Sequence, residues 1–132
     1  MQEYFRKIQQ TQDLSFDKIR DYAWESIAHL PKEQRDANWN RLGRGVALLD
    51  THELMCQYLH SFGKMHKAKL YDVFSKLPNE IFRNGYELID WGCGQALGNI
   101  NLFDYLNEKK LPNNVNKVLL IESAEKTLER GK

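Results

Sequence analysis

A short apolar run that ends in an acid and a glycine turn constrains this sequence more than any other feature. The run, YELIDW, begins at Tyr86, and the turn after it contains Gly92 and Gly94. Its side chains predict a buried strand, and the glycines permit backbone conformations that other residues avoid. The stretch from Asn99 to Lys109 has helical periodicity. We therefore predict a strand, a tight turn and a helix, which form the start of a βαβ unit.

A second apolar run, VNKVLLIE from Val115 to Glu122, completes this unit. Crossover connections of this kind join parallel strands, so both runs deliver their last residues to the same edge of the sheet. Asp90 and Glu122 therefore lie at neighbouring strand ends in the predicted fold. Open α/β sheets bind ligands at this edge, and an acid there can accept hydrogen bonds from the hydroxyls of a ribose.

The spacing of the glycines weakens two common phosphate-binding interpretations. In the dinucleotide fingerprint GxGxxG the third glycine would fall at Leu97, whereas the sequence has Gly98. The Walker-type phosphate loop needs a lysine and a serine or threonine after its second glycine, and no such pair follows Gly94. Asp90, two residues before the first glycine, instead favours a ligand with positive charge and hydrogen-bond donors.

Two segments resemble the first and second motifs of class I S-adenosylmethionine-dependent methyltransferases. The first, DWGCG, covers residues 90–94, and the second, LLIES, covers residues 119–123. The resemblance implies a Rossmann-like core, S-adenosyl-L-methionine as the cofactor and direct transfer of its methyl group to an acceptor. It identifies no residue of this chain as a catalytic base.

The resemblance also assigns roles to residues of the two motifs. Asp90 would organise the loop near the amino group of the cofactor, and Glu122 would hold the ribose. The family often has a third glycine where this sequence has Ala96. The predicted cofactor site consists of Asp90, Gly92, Cys93, Gly94, Gln95 and Glu122.

The rest of the chain has the pattern of helices, which gives an α/β fold class. Residues 1–84 form the predicted helical N-terminal region, and residues 85–132 form a partial Rossmann-like core with two parallel strands. Ser15 is a good N-cap residue for the first clear helix, which Pro31 ends. The predicted helices run from Ser15 to about Leu30, Lys32 to Leu42, Val46 to Phe62, Lys64 to Leu77, Asn99 to Lys109 and Ser123 to Lys132.

Three potential metal ligands, His52, Cys56 and His60, recur every four residues along one predicted helix. Imidazole and thiolate are ligands for zinc and similar ions. However, three ligands on one helix point the same way and cannot surround a tetrahedral ion without help. We therefore predict no metal site here.

A basic cluster opens the helix that the sequence predicts from Lys64. Cations at a helix N-terminus are opposed by the macrodipole, so such a cluster is locally unfavourable and could have a function. In the resembling family, helices just before the first strand can close over the cofactor, so the cluster could meet the carboxylate of the cofactor or an RNA backbone; the alternative is an ordinary solvated face. RNA is therefore preferred as the methyl acceptor, with protein and small molecules left open. The cluster contains Lys64, His66, Lys67 and Lys69.

Composition sets the broad class of the chain. Its 132 residues suit one domain, and a net charge of +1 gives no general electrostatic reason to bind nucleic acid. Two cysteines, Cys56 and Cys93, are too few for a disulfide framework, and there is no signal peptide or long apolar span. We therefore expect a cytoplasmic protein.

The predicted sheet is small for a methyltransferase core. Two parallel strands leave edges unpaired, and such a sheet is rarely stable by itself. We expect the chain to be the N-terminal portion of a larger protein and to self-associate through its exposed strand edges. Two alternatives remain open: a non-catalytic helical interaction module with a Rossmann-like remnant, and an NAD- or FAD-binding fragment.

Overall fold

The structure is a computed structural model that describes residues 1–45 and 47–132. The described chain is mostly helical and contains one sheet of two parallel strands, which confirms the predicted mixed α/β class. Short 3-10 helices lie at Gly43–Gly45 and Asn79–Phe82. The main elements are α1 (Gln2–Gln10), α2 (Phe16–Ile27), α3 (Lys32–Arg41), α4 (His52–Ser75), β1 (Tyr86–Trp91), α5 (Leu97–Glu108), β2 (Val115–Ile121) and α6 (Glu125–Gly131).

The chain divides into two compact units, Met1–Lys64 and Met65–Lys132, and the division falls within α4. The regions predicted from the sequence, 1–84 and 85–132, follow the type of secondary structure and not compactness, and they stay a prediction. Within the described residues, no helix combines the length and the apolar composition needed to cross a membrane.

The first unit is built from helices around an apolar core. Helix α2 starts where the sequence predicts, because the backbone N–H of Lys18 donates to Oγ of Ser15 over 3.3 Å. The helix α1 before it was not among the predicted helices. The buried apolar residues of this unit are Tyr4, Phe16, Ala23, Ile27, Leu42, Leu54, Met55, Cys56 and Leu59.

Helix α4 continues through Gly63, which the sequence analysis took as an interruption between two helices. A Cβ atom at Gly63 would lie only 2.8 Å from Cζ of Phe16. The ring of Phe16 is fully buried. Glycine therefore stands at this position because an aromatic ring from α2 packs against the helix there, and the prediction of a break was wrong.

The start of α4 is also later than predicted. Val46, the predicted first residue, lies outside the described residues, and Leu48 is 66% exposed and outside the helix. The backbone N–H of Leu54 donates to Oγ1 of Thr51 over 3.2 Å. The threonine hydroxyl thus satisfies a donor of the first turn, which sets the start of the helix at His52.

The position of the basic cluster is corrected by the continuity of α4. Its residues lie in the middle of a 24-residue helix and not in a first turn. The macrodipole acts within the first and last turns, so it does not oppose these cations. The argument that made them a candidate RNA contact therefore no longer holds for Lys64, His66, Lys67 and Lys69.

The second unit contains the predicted βαβ arrangement. Strands β1 and β2 pair in parallel, with Ile89 opposite Leu119 and Trp91 opposite Ile121. One face of β1 packs on a core from α5 and the preceding 3-10 helix. The buried members of this core are Phe82, Leu102, Tyr105 and Leu106, and the partly buried residues packed against them are Tyr71, Phe74, Tyr86, Leu88 and Leu111.

The opposite face of the sheet is exposed in the described chain. Trp91 is 77% exposed, Ile89 51% and Leu119 44%. The prediction of a buried strand was therefore right for only one face of β1, because no described element covers the other. Each described strand pairs only with the other one. Self-association through the outer edges stays a prediction.

We predict that Gly63→Ala destabilises the chain although alanine is the better helix former. The added methyl group must displace the buried ring of Phe16, which costs about 1–3 kcal/mol, against a gain of about 1 kcal/mol in helix propensity. Thermal unfolding followed by circular dichroism measures the difference.

A double-mutant cycle with Phe16→Leu tests the cause of this effect. The shorter side chain leaves room for the methyl group, so Gly63→Ala should cost less in the Phe16→Leu background. Lys69→Ala, at an exposed position of the same helix, is the control and should change stability by no more than about 0.5 kcal/mol. A higher melting temperature for Gly63→Ala alone would contradict the packing argument.

Candidate functional site

The candidate site begins at the carboxyl end of β1, where the backbone makes three left-handed steps. Gly92, Gly94 and Ala96 have φ angles of 63°, 56° and 59°. A Cβ atom built at Gly92 or Gly94 would meet no atom within 4 Å. The two glycines are therefore required by backbone conformation and not by crowding, and one side of the loop is open for a ligand to approach.

Ala96 takes the third left-handed position, immediately before α5. This conformation costs an ordinary L-residue about 1–2 kcal/mol and costs glycine little. The backbone thus gives a physical reason for a glycine at this position, where the resembling family often has one. In this chain the small methyl group of Ala96 is buried.

The acid at the end of β2 contacts the glycine loop directly. The backbone N–H of Gly94 donates to Oε2 of Glu122 over 2.9 Å. The other oxygen, Oε1, accepts from the backbone N–H of Ala124 over 3.1 Å and from Oγ of Ser123 over 3.3 Å. The structure therefore brings together two predicted site residues that lie in separate motifs of the sequence.

The middle of the loop is tied to the sheet through its backbone. The N–H of Cys93 donates to the carbonyl oxygen of Ile121 over 3.0 Å, which extends the parallel pairing by one bond. The thiol of Cys93 is buried, and its pKa is raised by that burial and then by the charges of Asp90 and Glu122. A neutral thiol of this kind is a poor nucleophile.

Asp90 lies on the packed face of β1, next to the start of α5. Its Oδ2 accepts from Nδ2 of Asn99 over 3.0 Å, and Asn99 is 6% exposed. Burial raises the pKa of the Asp90 carboxyl. The carboxylate is therefore held by a buried amide and not by a cation, which leaves its negative charge uncompensated among its described contacts.

Gly98 allows this close approach of helix and strand. A Cβ atom at Gly98 would lie 2.9 Å from Oδ2 of Asp90. The third glycine of a dinucleotide fingerprint has the same task, which is to let helix and strand pack closely. Gly98 performs it from a position one residue later than the fingerprint requires.

Gln95 is held by the last helix of the chain. Its Oε1 accepts from Nε of Arg130 in α6 over 2.7 Å. A Cβ atom at Gly131, the next residue, would lie 3.1 Å from Cβ of Ala96. The end of α6 thus packs against the loop, and the side chain of Gln95 is already bonded within the chain.

Two residues near the site, Asn99 and Arg130, were missed by the sequence analysis, which considered Gly98 only as a glycine out of register with the dinucleotide fingerprint. The sequence offered one signal for Asn99, since two asparagines, Asn99 and Asn101, lie among the apolar residues at the start of α5. A buried amide needs hydrogen-bond partners, so these asparagines indicate polar contacts inside the fold. The second, Asn101, donates from Nδ2 to the carbonyl oxygen of Leu97 over 2.8 Å. No local signal pointed to Arg130, whose partner is distant in sequence.

The three potential metal ligands that recur every four residues, His52, Cys56 and His60, have other contacts in the structure. Nε2 of His52 lies 3.5 Å from Sγ of Cys56, and the ring of His60 stacks on Trp24. The described residues contain no group of three or more histidine, cysteine, aspartate or glutamate side chains with the arrangement of a metal site. The expectation that the chain binds no metal stays a prediction.

Comparisons with protein-family models, curated proteins and solved structures find no match to this chain.

We predict that neutralising the two acids of the site shifts stability in opposite directions. Backbone hydrogen bonds, first from Ala124, lower the pKa of Glu122. Its contribution is therefore present above the ordinary carboxyl pKa and is lost as the pH falls. Glu122→Gln should cost about 1 kcal/mol at neutral pH and progressively less in acid.

The ionised carboxylate of Asp90 has the opposite effect on stability from that of Glu122. Burial raises its pKa, so the ionised form reduces stability at neutral pH, and this cost disappears as the pH falls through the raised value. Asp90→Asn should therefore leave the melting temperature at neutral pH unchanged or higher. Melting curves of both variants between neutral and acidic pH measure these effects, and a loss of stability at neutral pH in Asp90→Asn would contradict the assignment.

Proposed function

We propose that this chain binds S-adenosyl-L-methionine at the loop between β1 and α5 and forms part of a methyltransferase. The observation that carries the proposal is the contact between the two strand-end motifs, in which Glu122 accepts a hydrogen bond from the N–H of Gly94. A glycine loop and an acid at the tips of neighbouring parallel strands make a binding crevice for a nucleoside-containing ligand.

The charges around the loop support this ligand over a phosphate. Asp90 and Glu122 are both acids, and the loop carries no lysine or arginine of its own. A phosphate would be repelled by the two carboxylates. S-adenosyl-L-methionine instead has a sulfonium, an ammonium group and ribose hydroxyls, which suit acceptor groups.

The chemistry expected of the whole enzyme needs little from these residues besides binding. A methyl group moves from the sulfonium of the cofactor to a nucleophilic atom of the acceptor, and the two electrons of the broken C–S bond stay on sulfur. Catalysis of such a transfer is largely positioning and electrostatic stabilisation. The acceptor remains open between RNA, protein and a small molecule.

One observation favours the alternative, a non-catalytic module with a Rossmann-like remnant. Glu122 already accepts three hydrogen bonds from its own chain, and a carboxylate has about four acceptor positions. Little capacity remains for two ribose hydroxyls unless the bonds from Ser123 or Gly94 give way. In this alternative Glu122 only holds the loop in place.

We expect isothermal titration of the chain with S-adenosyl-L-methionine to show binding, and Glu122→Gln to weaken it about tenfold, which corresponds to one charge-assisted hydrogen bond. S-adenosyl-L-homocysteine should bind the same site, and NAD and FAD should bind more weakly. Glu125→Gln is the matched control, because Glu125 is an exposed acid in the first turn of α6.

The titration separates the possible functions. Tighter binding of NAD or FAD would favour the dinucleotide alternative. No binding by a chain that melts cooperatively would contradict the cofactor site and favour the non-catalytic module. An equal loss of affinity in Glu125→Gln would show that overall charge, and not the Glu122 carboxylate, decides affinity.

A further inference from the structure

A second group of chemically notable residues lies in the first unit, apart from the residues of the cofactor proposal. The rings of Trp24 in α2 and His60 in α4 are stacked, with centroids 4.3 Å apart and an angle of 23° between their planes. The guanidinium of Arg35 in α3 lies over the indole, 5.4 Å from its centroid. Three helices therefore contribute to one aromatic and cationic cluster.

Two further cations belong to this cluster. Nη2 of Arg20 donates to the carbonyl oxygen of His60 over 2.6 Å, which ties its guanidinium to the backbone of this residue. Lys64 follows His60 by one turn of α4 and is exposed. Burial lowers the pKa of His60, and the charges of Arg20, Lys64 and Arg35 lower it further, so the ring stays neutral among three cations.

These cations have no acidic partners within the residues that the structure describes. Ion pairs do form elsewhere in the first unit, at Lys7, Lys32 and Arg41. No described carboxylate lies within ion-pair distance of Arg20, Arg35 or Lys64. Nε of Arg20 and Nδ1 of His60 are buried and also lack a hydrogen-bond partner in the described chain.

Such an arrangement costs stability if nothing binds to it. Like charges that converge without counter-ions repel each other, and a buried donor without a partner loses its bond to water. A polyanion would relieve the repulsion between the cations. The His60 ring and the Arg35 guanidinium already lie over the indole of Trp24, which is still 36% exposed. Its exposed edge adds an apolar surface that a planar group could contact.

From this geometry we propose that the cluster of Arg20, Trp24, Arg35, His60 and Lys64 binds single-stranded nucleic acid. Phosphates contact the three cations, and a base packs against the exposed edge of the indole and the Arg35 guanidinium that lies over it. Interleaved cations and aromatic rings are the usual means of binding single strands without base-specific hydrogen bonds. The proposal concerns the helical unit only and does not depend on cofactor binding.

Fluorescence anisotropy of a labelled single-stranded RNA of about 12 nucleotides tests the proposal, because sites of this kind span about 4–16 nucleotides. We expect binding whose logarithm falls with the logarithm of salt concentration with a slope of about −2, from three phosphate contacts at about 0.7 each. Arg35→Gln combined with Lys64→Gln should weaken binding at least about tenfold and reduce the slope by about 1.4.

Lys32→Gln is the matched control. Lys32 is in the same helix as Arg35 and loses the same charge, but it is paired with Asp36. We expect this variant to bind nearly as well as the unaltered chain, and Arg35→Lys, which keeps the charge, to retain most of the affinity. Circular dichroism must show that all variants keep their helix content.

An abasic oligonucleotide of equal length tests the indole without changing the protein. It has the same phosphates but no bases, and we expect it to bind about tenfold more weakly, because stacking of one base is worth about 1–3 kcal/mol. Equal binding of both oligonucleotides would overturn the assignment to nucleic acid and leave a general polyanion site. No binding of RNA, or an equal loss of binding in Lys32→Gln, would overturn the cluster itself.

The RNA-binding experiments can be interpreted independently of the proposed methyltransferase function. Titration with S-adenosyl-L-methionine should be unchanged in the Arg35→Gln/Lys64→Gln variant, and RNA binding should be unchanged in Glu122→Gln. A failure of either proposal can therefore be recognised while the other stands.

Discussion

The hydrogen bond from the Gly94 N–H to Glu122 is the interaction on which the candidate site depends. Regular pairing of β1 and β2 ends at Trp91 and Ile121, so the loop beyond has no sheet partner to fix it. The Cys93 N–H extends the pairing by one bond, and the charged carboxylate then accepts the next free donor. Bonds to a carboxylate are stronger than bonds between neutral groups, so this acid can hold the loop in its left-handed conformation.

Local signals predicted the fold well where the deciding residues are close in sequence. The Ser15 cap, the glycine loop and the two parallel strands all depend on neighbouring residues or on the handedness of a crossover. The predicted helix break at Gly63 was wrong because the deciding residue is distant in sequence. Glycine disfavours helices on average, but a single glycine need not end one. Glycine is needed at position 63 because the ring of Phe16 packs against it from another helix, and spacing alone could not identify this partner.

The candidate site was predictable to a similar degree. Parallel pairing alone requires the ends of β1 and β2 to meet, which is why Asp90, Gly94 and Glu122 could be expected near one another. The partners that fix the orientation of these groups were not predictable, because Asn99 and Arg130 act through tertiary contacts. The exposed face of the sheet was also missed, since an apolar run does not reveal how many of its faces are covered.

The two acids of the site differ in a way that bears on its ligand. Three donors from the chain lower the pKa of Glu122, whereas burial with a single amide partner raises the pKa of Asp90. Burial, and then the charges of both carboxylates, raise the pKa of the Cys93 thiol, which makes it a poor nucleophile. A ligand with a positive charge beside Asp90 would lower the pKa of that acid again and recover the cost of its burial. A phosphate would increase this cost, so the electrostatics of the loop favour a cationic ligand over an anionic one.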